Sequence, residues 1–166
     1  MENTILNTKF EEATPLNSVA EFHHTFGAPI LDKPQIPSKE RCDLRVSLLQ
    51  EELDELKEAI QNNDIVEIAD ALADLQVILS GSILEFGVAS KFKQIFDDVH
   101  RSNMSKACST IEEAERTIKW YKSDKGVDSY WLEKDGKYIV YRKGDDKVLK
   151  SVDYTPANPK SIIENE

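Results

Sequence analysis

The stretch EELDELKEAIQNNDIVEIADALAD, residues 51–74, carries nine acids and a single base, Lys57. An acidic run is usually a solvated face, so helical phase decides what these acids do. Val46, Leu49, Leu53, Leu56 and Ile60 recur at three- and four-residue spacing, which predicts a helix over 39–61 with this stripe on the core. Ser38 caps that helix, and Asn62 and Asn63 end it. Glu52 and Glu55 fall in a neighbouring row with Leu48 and Ala59, so both carboxylates have apolar neighbours. Asp54 and Glu58 point further out, and Glu51 lies on the border between the two groups.

Asp64 caps the next helix, predicted over 65–86 and stopped by Gly87. This helix is apolar on nearly every side, which predicts burial. Glu67, Asp70 and Asp74 stand at i, i+3 and i+7 and share one stripe of it. Buried together, three carboxylates repel one another and lose hydration. They must take up protons, pair with cations or hold a metal. An oxygen-only set of ligands suits a hard divalent ion, Mg²⁺ or Mn²⁺. The competing structural reading closes a capping box between Glu67 and Asp64, and lets Asp70 and Asp74 line a water-filled gap.

Working outward, residues 1–16 are polar and read as a flexible N-terminus. A first helix is predicted from Asn17 to Phe26, followed by an extended connector through Pro29, Pro34 and Pro37. Phe22 and Phe26, at i and i+4, are assigned to the core, and His23 and His24 to the surface. Ser90 caps a fourth helix ending near Met104. Thr110 and Glu113 form a capping box for a fifth helix through Trp120. Beyond Gly126, alternating runs at 129–133 and 137–142 flank Asp135-Gly136, a hairpin signal. A short run, 148–152, follows. Trp120, Tyr121, Tyr130 and Trp131 are assigned to stabilising this tail. The expected organisation is a catalytic bundle of about four helices over 17–106 and an extension over 107–166, a short helix plus a β-hairpin.

The 166 residues are 40% hydrophobic, enough for one core of ordinary size, and carry a formal net charge of -10. Such a surface repels a nucleic-acid polymer, whereas a small anion remains admissible beside a bound cation. The longest apolar region, 65–86, is interrupted by Glu67, Asp70, Asp74 and Gln76, which argues against a membrane span. The N-terminal residues lack a basic segment followed by an apolar one. Cys42 and Cys108 form no metal or disulfide motif, so a cytoplasmic protein with reduced thiols is expected.

Glu51, Glu52 and Glu55 fit an EExxE signature, and Glu67 and Asp70 fit ExxD. This spaced pair resembles the all-α nucleoside triphosphate pyrophosphohydrolases, a superfamily that includes MazG-like enzymes and phosphoribosyl-ATP pyrophosphohydrolases. The resemblance covers roughly 17–106. It extends to RSNMSK at 101–106 and, later, to the DGK turn and KVLKS, which recur in one bacterial branch of MazG-like proteins. It implies an all-α bundle that assembles as a homodimer or homotetramer. It also implies Mg²⁺, with Mn²⁺ as a substitute, held by Glu52, Glu55, Glu67 and Asp70. Glu51 then acts as a further ligand or orients the attacking water. Asp74, one turn beyond the signature, is a weaker ligand candidate. Arg101, Asn103 and Lys106 correspond to phosphate or sugar contacts; Arg101 and Lys106 also suit a helix C-terminus without any ligand. The implied reaction is hydrolysis of a nucleoside triphosphate to a monophosphate and pyrophosphate, in a general or house-cleaning role, with phosphoribosyl-ATP as the rival substrate. A di-iron centre would need two Glu-x-x-His motifs, and the chain offers only Asp97-x-x-His100. A non-enzymatic acidic helical adaptor is the reading of another class.

Overall fold

The computed structural model describes residues 10–165, so most of the N-terminal segment read as flexible lies outside the described residues. The protein is mainly helical with one small antiparallel hairpin. In chain order the elements are α1 (Pro15–Phe26), α2 (Lys39–Gln61), α3 (Ile65–Glu85), α4 (Ala89–Met104), α5 (Ile111–Lys125), β1 (Ser129–Lys134), β2 (Lys137–Arg142) and α6 (Pro159–Glu164). They form two compact units, 1–92 and 93–166. The division falls inside α4, ahead of the expected boundary at 106. The C-terminal part of α4 is hydrogen-bonded to the chain's tail, which composition does not reveal.

In the first unit α3 packs against both α1 and α2. Two predicted caps form: Ser38 Oγ accepts from the Arg41 amide at 3.4 Å, and Asp64 Oδ1 accepts from the Val66 and Glu67 amides, whereas α1 begins two residues ahead of Asn17 and Ser90 lies inside α4 instead of capping it. Asn63 turns the chain between α2 and α3 with φ 53°. Gly87 follows α3 at φ 68°, where a Cβ would stand 2.0 Å from the Lys33 carbonyl oxygen, so the connector 27–38 can lie directly against it.

The antiparallel pair α2–α3 is joined at one end by charge. Glu85, 1% exposed, accepts two hydrogen bonds from Arg41, with Nε at 2.9 Å, and an ion pair from Arg45 at 2.7 Å. Opposite Arg45 on α3 is Gly81, whose absent Cβ would lie 2.6 Å from Arg45 Nη1 and 3.0 Å from His23 Nε2. His23 is therefore buried, contrary to its surface assignment. Its Nδ1 lies 2.9 Å from the Pro29 carbonyl, which only accepts, so Nδ1 carries a proton.

Several burial expectations fail in the single chain. On the acidic stripe of α3, Glu67 and Asp70 are exposed and Asp74 is half-buried. Of the stripe assigned to the core of α2, Leu49 and Leu56 are half-buried, but Val46 is 68% exposed, and Leu53 and Ile60 are also exposed. The face turned to α3 is instead the row of Arg41, Arg45, Leu48, Glu52 and Ala59. Along α3, Ile65, Val66, Leu72, Val77 and Leu79 are exposed as well. Phe22 and Phe26, expected in the core, are exposed and packed on each other with centroids 4.5 Å apart.

In the second unit Cys108, Ala114, Val140 and Leu149 form a core closed by Ile118, Tyr121, Val127, Trp131 and Tyr138. The β1–β2 hairpin turns at Asp135-Gly136, both at positive φ, as a two-residue hairpin loop requires. β2 pairs with β1 and also forms single bridges with Cys108 and Val148; the run 148–152 makes no strand. The Thr110 cap forms, and Glu113 reaches back to the Ser109 amide at 2.8 Å. α5 runs past Trp120 to a left-handed cap at Gly126. Among the described residues no single helix is long and apolar enough to cross a membrane.

Removing the Glu85 carboxylate strands two guanidinium groups at the α2–α3 contact. Glu85→Ala is expected to lower stability by about 3–5 kcal/mol, read from urea unfolding followed by circular dichroism.

Candidate functional site

The row of α2 that faces α3 begins with an ion cluster in which Arg41 and Arg45 compensate Glu85, and continues into carboxylates. Glu52 is half-buried. Its Oε2 is shut off from solvent and has no hydrogen-bond partner. Burial pushes the Glu52 carboxyl above its usual range, and the charges of Glu55, Asp74, Glu51 and Asp70 push it the same way. Acids from both helices thus act on one buried oxygen. Nearer the turn, Glu55 and Glu67 line an open cleft of about 330 Å³ with Glu58, Ala59, Asn62 and Asp64. Glu55 belongs to both groups and links them.

No basic side chain neutralises this set. Lys57 is bonded to Asp54 at 2.7 Å on the solvated face. Among the described residues none of Glu51, Glu52, Glu55, Glu58, Glu67, Asp70 or Asp74 is in a salt bridge. The capping-box reading of Glu67 does not hold either. The Asp64 amide donates to the Ala59 carbonyl at 3.0 Å, so the Glu67 side chain does not close a box there.

Among the described residues no three of these side chains converge on one ion position as they stand. The donor set nonetheless fits a hard divalent cation. It offers carboxylate oxygens alone, drawn from two packed helices, with one buried oxygen unpaired. The sequence reading passed over Glu58 and Asn62 as solvated and helix-ending residues. Glu58 stands one turn after Glu55, which is the signal that could have placed it at the cleft.

The basic residues of the second unit have their own partners. Arg101 donates to Asp98 through Nε and Nη2, at 3.0 and 2.7 Å. It also donates to Thr155 Oγ1 at 2.7 Å and to the Pro156 carbonyl at 3.1 Å. Asp98 in turn accepts from the Asn158 amide. That bond, followed by the one from Arg101, holds its carboxyl below the usual range. Arg101 therefore ties the tail to α4. Lys106 Nζ donates to Asn103 Oδ1 at 2.8 Å, so those two side chains act together, as their i, i+3 spacing predicts.

Residues 19–103 match the family described as phosphoribosyl-ATP pyrophosphohydrolase. The matched segment contains both acidic signatures. The chain is also 25% identical to "Uncharacterized protein L479" of Acanthamoeba polyphaga mimivirus, over 95% of this chain and 98% of that protein. The chain belongs to the phosphoribosyl-ATP pyrophosphohydrolase family, part of the MazG-like all-α superfamily, and is by family a nucleotide pyrophosphohydrolase.

A raised carboxyl pKa means that the folded chain keeps the Glu52 proton to higher pH than the unfolded chain. Ionisation therefore costs stability as pH rises from the unfolded value through the folded one, and the cost persists above it. Glu52→Gln removes that cost. Without divalent ions at pH 7 the variant is expected to melt above wild type. The gain should vanish below about pH 4, where Glu52 is protonated in both states. Differential scanning calorimetry across pH checks both halves.

Proposed function

We propose that the chain hydrolyses the α–β phosphoanhydride of a nucleoside triphosphate, leaving a nucleoside monophosphate and pyrophosphate, and that the reaction requires Mg²⁺. The observation that carries this reading is the unpaired, buried Oε2 of Glu52 amid uncompensated acids of α2 and α3. Family membership supplies the class of bond. Glu52, Glu55, Glu67 and Asp70 would hold the ion, Mg²⁺ or Mn²⁺, with Asp74 behind them. When bound, the cation offsets the repulsion between carboxylates and phosphates and makes water a stronger nucleophile at neutral pH.

Glu51, exposed at the edge of the row, orients the attacking water and accepts its proton. The water oxygen bonds to the α-phosphorus, and the bond to the bridging oxygen breaks with its electron pair leaving on pyrophosphate. Asn103 and Lys106 are the candidates to meet phosphate or sugar. Arg101, bonded to the tail, keeps the end of α4 in place and offers its remaining charge. Phosphoribosyl-ATP is the second substrate reading, favoured by the family that residues 19–103 match. The free thiols of Cys42 and Cys108 support a reducing, cytoplasmic setting.

The working form is a homodimer or homotetramer. Support comes from the apolar side chains at seven-residue spacing left outside the single chain: Val46, Leu53 and Ile60 on α2, and Ile65, Leu72 and Leu79 on α3. Two such stripes on adjoining helices are more apolar surface than a monomer ordinarily exposes, and a second copy of the same helices would cover them. Leu72→Asp is expected to convert the assembly to monomer in light scattering after size exclusion.

The activity is tested by pyrophosphate release from standard and modified nucleoside triphosphates and from phosphoribosyl-ATP, with and without Mg²⁺. Wild type is expected to release pyrophosphate only with Mg²⁺. Glu52→Ala and Asp70→Ala should each lose at least about 100-fold while keeping their circular dichroism, a loss of the size seen when metal ligands or their close supports are removed. Release from phosphoribosyl-ATP alone would replace the first substrate with the second. A folded wild type inactive on every substrate would leave the adaptor reading.

A further inference from the structure

The second unit has a cleft of about 450 Å³ lined by Trp120, Tyr121, Lys150, Ser151, Val152 and Tyr154. It involves none of the carboxylates of α2 and α3; the hydroxyl of Ser151 is hydrogen-bonded to the Glu113 carboxylate. Three of its six lining side chains are aromatic, and Trp120 is 39% exposed although Tyr121 and Trp131 pack on the unit's core. The cleft is framed by fixed groups. Tyr121 Oη accepts from the Lys150 amide at 3.2 Å, and the Tyr154 and Ser102 hydroxyls share a hydrogen bond of 2.8 Å. The backbone at Ser151 is bonded to the Lys106 carbonyl.

The cleft also carries positive charge, in a chain of net charge -10 many of whose cations sit beside an acid. Lys150 does not: its ammonium stands 4.3 Å from the centroid of the Tyr154 ring. Lys106 donates only to the neutral Asn103 side chain. Among the described residues neither lysine forms a salt bridge. Both act on the same phenol: the Ser102 bond first, then the Lys150 charge and, more weakly, that of Lys106 hold Tyr154 below its usual range. An aromatic lining beside uncompensated ammonium groups complements a flat ring that bears an anionic group. The volume lies within the range of small-ligand sites.

We propose that this cleft is a binding site for an aromatic anion of the nucleoside monophosphate type, with the ring against Trp120 and the anionic group at Lys150. The site lies wholly within the second unit and does not rest on the pyrophosphohydrolase reading. In a protein that also cleaves nucleotides, such a site would register the monophosphate pool.

The test is isothermal titration calorimetry of the full chain in EDTA, which keeps divalent ions off the acidic row. The probes are AMP, adenosine and inorganic phosphate. AMP is expected to bind one per chain, and adenosine and phosphate each at least about tenfold more weakly, because each offers half of the complement. Lys150→Ala, an exposed position, should weaken AMP binding at least about tenfold, and Trp120→Ala should do the same if it folds. Lys160→Ala, a surface lysine outside the cleft, and Glu52→Ala, in the acidic row, should leave it unchanged. Absence of AMP binding, binding indifferent to Lys150→Ala, or binding lost in Glu52→Ala would each overturn the site. Pyrophosphate release can fail while AMP binding persists, or the reverse, so the two readings stand or fall separately.

Discussion

The contact between α2 and α3 is governed by how its charges are compensated, and that compensation changes along its length. At the end where α2 begins, Glu85 is buried against Arg41 and Arg45, and Gly81 leaves room for the Arg45 head. Further along the same row the residues become Glu52 and Glu55, facing Asp74 and Asp70, with no basic side chain among them. A helix pair gains little from uncompensated acids at its contact, because each ionised group loses hydration and meets like charge. The ionic clamp and the apolar contacts around Ala59, Ala71 and Leu84 hold the pair together, while Glu55 and Asp70 stay in solvent and Glu52 is half-buried. Such a distribution favours whatever brings positive charge to the row.

That arrangement gives the family assignment a physical content. A pyrophosphohydrolase must bring an anionic polyphosphate to its catalytic groups, and a row of carboxylates alone repels one. The unpaired oxygen of Glu52 and the cleft between Glu55 and Glu67 mark where compensation is missing. The second unit solves a different problem. Its small core is closed by Cys108, Val140 and Leu149, and its tail is fastened to α4 through Arg101, Ser102 and Asp98. Arg101 lies within RSNMSK, a segment that reads as ligand-binding from sequence. In the folded chain its guanidinium is largely occupied in bonding that tail, so resemblance alone would overstate its freedom to meet a substrate.

Much of the local structure was legible because it depends on neighbours in sequence. Ser38, Asp64 and Thr110 cap the helices assigned to them, since a side-chain oxygen reaches an amide two or three residues on whatever the rest of the chain does. Asp135-Gly136 turns the hairpin because both positions tolerate positive φ. The grouping of Glu52 and Glu55 with Leu48 and Ala59 was also correct, as helical phase alone fixes which residues share a row. Burial was harder to read. Val46, Leu53 and Ile60 form the most regular apolar stripe of α2, yet they face out of the single chain. Periodicity identifies a face that prefers to leave water but not what covers it. His23 erred the other way: its burial depends on Gly81 and Arg45, far away in sequence.

The sequence by itself determined the helices, most of their caps, the hairpin and the acids on two consecutive helices, because these follow from φ preferences, short-range hydrogen bonds and a 3.6-residue period. Only the tertiary structure decided which acid is neutralised and which is not. Glu85 and Glu52 are both helical glutamates, and their own helices do not show which one meets a cation. Glu85 meets two arginines forty or more residues earlier in the chain, whereas Glu52 meets other carboxylates. Charge compensation is a property of what long-range packing brings within a few ångströms, and the spacing of residues along one helix does not contain it.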